Sequence, residues 1–169
     1  MSIKIIAELC QNHNGDKDIL MSMIEEVANS GATHIKIQHI RPEYLNFRPR
    51  HENGLYINDI QKAIKRPYDL EYERLSKLTL NDELISLFIK TCTENNLVPL
   101  TTCFIRADIP KIFNQGFKEI KVASYDCASY QMLRELALKF DHIYVSTGAT
   151  YDREVSHASS ILKKLAKEF

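Results

Sequence analysis

The chain has few of the residues that loosen structure. Its 169 residues include five glycines and five prolines, too few for a linker or a disordered tail. Neither sign of charge dominates, with 22 Lys and Arg against 22 Asp and Glu. A net charge of zero argues against a nucleic-acid binder that works by bulk electrostatics, although a local basic patch is compatible with it. Long apolar runs are missing. The N-terminal MSIKIIAELCQNHNG turns polar after about seven apolar residues, too soon for a signal peptide or a membrane span. No later run approaches the roughly 20 residues a span needs. Cysteine pairs are missing too. Cys10, Cys92, Cys103 and Cys127 form no CxxC, which argues against a zinc knuckle or a thioredoxin-type site. Without an export signal they read as free thiols in a reducing, cytoplasmic compartment. No GxGxxG or GxxxxGK[ST] follows a strand, so the usual nucleotide-binding α/β folds lose weight.

What remains is ordinary globular composition, 44% apolar and 26% charged, at a length that suits one domain. Short β-like runs alternate with amphipathic helical runs. Strands are expected over 2–9, 34–40, 97–102, 119–123 and 142–146. Helices are expected over 16–30, 81–95, 106–115, 129–140 and 151–169, the first capped by Asp16 and ended by Gly31. Residues 41–79 are less regular, and the charged aromatic stretch 68–74 reads as a loop helix packing on the rim. Five βα units with no hairpin signal between them imply a parallel sheet with helical crossovers. An open doubly wound sheet and a barrel both satisfy that pattern.

The most informative feature is charge inside strands. Alternation puts Ile35 and Ile37 on one face of the second strand and Lys36 and Gln38 on the other. Lys121 opposes Ile120 and Val122 in the fourth strand, and Glu8 opposes Ala7 and Leu9 in the first. A parallel strand covered on both faces should read as a continuous apolar run. If the β-branched face meets the helices, Glu8, Lys36, Gln38 and Lys121 converge on the opposite one. Solvation, or a Glu8 ion pair with one lysine, would explain any single position. Two lysines against one glutamate leave positive charge that a phosphate or carboxylate would neutralise.

The strand ends agree. Thr101 and Thr102 close the third strand, Ser124 follows the fourth, and Ser146, Thr147 and Gly148 close the fifth. Ligands of α/β folds bind at these carboxyl ends, where hydroxyls and backbone N–H groups can meet phosphate oxygens, although Ser, Thr and Gly are also common turn residues. Asn12-His13-Asn14-Gly15 contains a strong turn signal. His13 there is a candidate for substrate binding or acid–base work. The other histidines have no metal-ligand spacing and read as surface or packing residues.

Taken together, these residues resemble the sialic acid synthase family, also called N-acetylneuraminate synthases. The motifs stand as Ala7-Glu8-Leu9-Cys10-Gln11-Asn12-His13-Asn14-Gly15, Gly31-Ala32-Thr33-His34-Ile35-Lys36-Ile37-Gln38, Thr101-Thr102-Cys103-Phe104, Lys121-Val122-Ala123-Ser124-Tyr125-Asp126 and Val145-Ser146-Thr147-Gly148. The resemblance implies a (β/α)8 TIM-type barrel. It also implies condensation of phosphoenolpyruvate with an N-acetylated amino-sugar aldehyde, giving a nine-carbon 2-keto sugar acid and phosphate. Lys36, Thr102, Lys121, Ser124 and Ser146 would hold phosphoenolpyruvate. Glu8, with Lys36 and Lys121, would carry the catalytic work and handle protons. Asn12, His13, Gln38, Asp126, Thr147 and Gly148 would complete the substrate site, with Asp126 in the place of the family's glutamate.

The same resemblance implies a divalent metal, manganese or magnesium, whose histidine ligands belong to later strands, so no metal ligand is expected in this chain. A barrel of this type needs about 250 residues. The expectation is therefore a partial barrel domain over 1–169, a fragment without the later strands or the C-terminal antifreeze-like domain. A split enzyme completed by a second chain and a dimerising half-barrel are the alternatives. A non-catalytic anion-binding module that has lost the metal is the competing function. Cys10, Cys103 and Tyr125-Asp126 depart from the family pattern, so the sugar need not be N-acetylmannosamine and a legionaminic- or pseudaminic-type precursor fits as well.

Overall fold

The computed structural model describes residues 3–165. Ser2, at the start of the first expected strand, and 166–169, at the end of the last expected helix, lie outside the described residues. Strands β1 (Ile6–Cys10), β2 (His34–Ile37), β5 (Val98–Cys103), β6 (Glu119–Val122) and β7 (His142–Val145) form one sheet, all neighbours parallel. Their order across the sheet follows chain order. A doubly wound sheet reverses direction at a switch point, and this sheet has no reversal.

The helices that matter to the sheet are α1 (Lys17–Asn29), α4 (Asp82–Glu94), α5 (Ile109–Asn114), α6 (Tyr130–Ala137) and α7 (Asp152–Leu165). The cap on α1 is local chemistry: the Asp16 carboxylate accepts from the N–H groups of Asp18 (2.8 Å) and Ile19 (2.9 Å), satisfying donors the helix cannot. Asn81 caps α4 in the same way through Leu84 N–H. The expected 106–115 helix is a 3₁₀ turn, Arg106–Asp108, running into α5.

One expectation is corrected. Residues 41–79 contain a hairpin, β3 (Leu55–Ile57) and β4 (Ile60–Ala63), between the short helix α2 (Pro49–Glu52) and α3 (Tyr68–Leu78). Its loop is Asn58-Asp59, both with positive φ, 50° and 61°. That is the two-residue mirror-image turn whose twist suits a hairpin, and Asn and Asp tolerate it. The stretch 68–74 is helical, as expected, and forms the first part of the three-turn α3 within the connection from β2 to β5.

The core lies on one face of the sheet. Leu9, Ile35, Ile37, Cys103, Ile120 and Val122 meet Leu20 and Ile24 of α1, Ile85 and Phe88 of α4, and Leu133 and Leu136 of α6. Phe88 and Phe117 are fully buried with ring centroids 6.4 Å apart, and each such side chain contributes roughly 2–3 kcal/mol of transfer free energy. The Asn14-Gly15 turn is packed against this frame. Gly15 sits at φ +73°, and a Cβ there would lie 2.2 Å from the Lys77 carbonyl oxygen at the end of α3, so only glycine fits. No helix among the described residues is long and apolar enough to cross a membrane.

Candidate active site

Alternation along parallel strands carries Glu8, Lys36, Leu100, Thr102 and Lys121 to the face opposite the helices, where Glu8 is the register partner of Lys36 and Thr102 of Lys121. Lys36 is 3% exposed. Its Nζ lies 2.5 Å from Glu8 Oε2 and donates to Thr102 Oγ1 at 3.2 Å. The other Glu8 oxygen accepts from Cys10 N–H at 2.9 Å. That bond exists because β1 ends in a bulge between Glu8 and Cys10, with Cys10 at φ +53°, which turns its N–H back along the strand. Both oxygens of Glu8 are therefore held.

Lys121 has no carboxylate within ion-pair distance among the described residues. Burial, then repulsion from Lys36, hold its pKa below the ordinary lysine value, and attraction to Glu8 only partly offsets them. The Cys10 thiol lies in the same field. Burial and the Glu8 charge push it up, against a smaller pull from Lys36.

The rim residues divide. Gln38 follows β2, and its N–H donates to Cys10 O at 2.8 Å, tying the ends of β1 and β2. Ser124 begins the turn after β6 and faces Gly148, whose added Cβ would sit 3.8 Å from Ser124 Oγ. Ser146 N–H donates to Val122 O, which brings the β7 end to the same rim. Thr147 and Gly148 are exposed there, and Asn12 is exposed in the first turn.

His13, a candidate for substrate binding or acid–base work, is fully buried. Its Nδ1 accepts from Gly15 N–H at 3.0 Å, so it braces the turn, and burial lowers its pKa. Asp126 lines a separate flank cavity with Phe104, Arg106 and Ser129. Burial raises its pKa against a hydrogen bond from Ser129. Among the described residues no three His, Cys, Asp or Glu side chains gather as a metal-ligand set.

A second cluster occupies the other end of the same face. Glu119 accepts from Tyr144 Oη at 2.6 Å and from Lys4 Nζ at 3.3 Å, and its oxygens lie 3.2 Å from His34 Nε2 and 3.3 Å from His142 Nδ1. Burial pushes Glu119 up, but Tyr144, Lys4 and His34 together outweigh it and its pKa ends below the usual value. Sequence reasoning missed this cluster, although the signal was present. In HIKI and EIKV the residue two before each inward lysine shares its face, as alternation requires.

Residues 23–169 match the NeuB family, and the chain belongs to it. It is 28% identical to an N,N'-diacetyllegionaminic acid synthase of Campylobacter jejuni, across 95% of this chain and 46% of that protein. It is 25% identical to a pseudaminic acid synthase of another Campylobacter jejuni strain, across 95% and 45%. The chain thus spans about half the length of the curated relatives it matches. A solved sialic acid synthetase from Leptospira borgpetersenii, in complex with citrate, superposes with a TM-score of 0.76 at 24% identity, covering 98% of this chain and 51% of that one.

Proposed function

We propose that this chain forms the phosphoenolpyruvate-binding part of a (β/α)8-barrel synthase, which condenses phosphoenolpyruvate with an N-acylated amino-sugar aldehyde to a nine-carbon 2-keto acid. The observation that carries this reading is a sheet face with a buried Lys36, a half-buried Lys121 and one carboxylate, Glu8, already paired to Lys36. Phosphoenolpyruvate brings a phosphate and a carboxylate, the anions such a face lacks. Lys36 and Lys121 would hold them, with the Thr102 and Ser124 hydroxyls as further donors. Ser146, Thr147 and Gly148 close the rim. Held there, C3 of phosphoenolpyruvate is presented to the aldehyde carbon, C2 takes up water, and phosphate leaves with its bridging oxygen. Fixed cations that need no reorganisation are the chain's contribution to that step. Glu8, clamped at both oxygens, fixes Lys36 and stands as the proton acceptor nearest it. The described residues supply no ligand set for a divalent metal, so no step here passes through one.

Calorimetric titration with phosphoenolpyruvate, with and without manganese, tests the reading. Wild-type chain binds, and Lys121→Ala weakens binding by roughly 2–5 kcal/mol, 30-fold or more. Equal affinity in the variant, or no binding by a folded sample, overturns it. Phosphate release on adding N-acetylmannosamine or a diacetamido-sugar aldehyde separates a synthase from a module that only binds anions.

A further inference from the structure

A second cavity, of about 570 Å³, lies beside the lysine pair, and its size is that of a small-molecule site. The end of β5 forms its floor, and the segment after β2 and α5 form its walls. Glu8, Lys36, Gln38 and Lys121 do not line it. Thr102 does, so the two sites share a wall.

Its lining carries four cationic side chains, Arg41, Arg48, Arg66 and Lys111, against two carboxylates, Asp108 and Glu71. Arg41 is committed to Asp108, and Lys111 to Asp82 at 2.8 Å. Arg66 reaches Glu71 only at 3.9 Å, while Glu71 is already held by Arg74 at 2.8 Å. Arg48 has no ion-pair partner among the described residues. Among the lining guanidiniums, then, Arg48 is unpaired among the described residues and Arg66 is only loosely held, and both are exposed.

The wall itself is incomplete in polar terms. Thr101 is 2% exposed, and its Oγ1, like His39 Nε2, is a buried atom without a hydrogen-bond partner among the described residues. Both residues belong to this wall. Buried polar atoms are nearly always paired, and an unpaired one marks a place for a missing water, ion or ligand. The Tyr44 ring, with Arg41 stacked 4.9 Å from its centroid, adds a flat apolar surface of the kind that covers a sugar ring.

We propose that this cavity is a second binding site, for a phosphorylated or carboxylated sugar, which shares Thr102 with the lysine pair but is lined by neither lysine. Arg48 and Arg66 take the anionic group, and the Thr101–His39 wall lies beneath the hydroxylated part. This site stands whether or not Lys36 and Lys121 bind phosphoenolpyruvate.

Titration of the chain with glucose 6-phosphate, followed by calorimetry and by thermal melting, tests it. Neutral glucose and inorganic phosphate are the controls. Glucose 6-phosphate binds and raises the melting temperature, at least tenfold more tightly than either control. The double variant Arg48→Gln/Arg66→Gln binds at least tenfold more weakly, while Lys121→Ala changes the affinity less than twofold. Both arginines are exposed, and the single variant Arg48→Gln serves as the conservative check if the double one melts early. The proposal is overturned by no binding, by glucose binding equally well, by undiminished binding in the arginine variants, or by loss of binding in Lys121→Ala.

Discussion

The two ends of the polar sheet face use the same residue types in opposite proportion. At the amino end a single carboxylate, Glu119, is ringed by Lys4, Tyr144, His34 and His142. At the carboxyl end a single carboxylate, Glu8, serves Lys36, while Lys121 has no ion-pair partner among the described residues. The first cluster is closed, with its anion fully used by the protein's own donors. The second is open, with more positive charge than the protein neutralises. A saturated buried cluster behaves as structure. An unsaturated one stores binding energy for a ligand, because the ligand supplies what desolvation has left unpaid.

The comparison breaks first at Glu119. Glu119→Gln leaves Lys4 and both histidines facing a neutral amide, and a cost of about 3 kcal/mol is expected in urea or thermal melts. Added phosphate should restore little of it, since Glu119 pairs with a single, half-exposed lysine, whereas two lysines meet at the other end.

Acid is the next lever. Burial brings His39 down to about 4 and lowers His13 and, against Glu119, His34. Each is neutral in the folded chain over a range where the unfolded chain, with histidine near 6.5, binds a proton. Unfolding therefore takes up protons, and stability falls as pH drops from about 6.5 towards 4, by on the order of 2 kcal/mol for His39. Urea melts across that range measure it, and a flat profile between pH 7 and 5 would contradict the neutral buried rings.

Glu8→Gln sharpens the contrast. It leaves Lys36 buried without an anion, but Glu8 is 39% exposed at its side chain, so the expected cost is smaller, about 1–2 kcal/mol. Here added phosphate should recover the loss, because the lysine pair then has an anion again. If phosphate rescues Glu119→Gln as well as Glu8→Gln, the two ends do not differ as described. The smallest effect is Cys10→Gly, which relieves a left-handed non-glycine residue and should raise stability by less than about 1 kcal/mol, read from the melting midpoint.

Much of this was legible before any coordinates. Period-two alternation placed Lys36, Glu8 and Lys121 away from Ile35, Leu9 and Ile120, and the cap at Asp16 marked the first helix start. The hairpin at 55–63 escaped because its turn is Asn-Asp rather than Asn-Gly, within a proline-bounded stretch that reads as irregular. The burial of His13 was not legible, because a turn residue is covered only when the chain folds over it. The Glu119 cluster was readable from HIKI and EIKV but needed the register between strands to show that Glu119, His34 and Tyr144 meet.

By itself, then, the sequence determined which residues alternate, which cap, which turn, and that the lysines lie on the face away from their β-branched strand neighbours. Those are local properties, set by backbone geometry over a few residues, and the lysine face is simply the one opposite Ile35, Ile37, Ile120 and Val122, with Thr102 on the lysines' side. Only the tertiary structure decided the strand order, which excludes a doubly wound sheet, and the pairing of Glu8 with Lys36 rather than Lys121. It also decided the closed cluster at Glu119 and the cavity behind Thr101. Each of these depends on distances between segments far apart in the chain, set by how five strands share one register and how the helices pack against them.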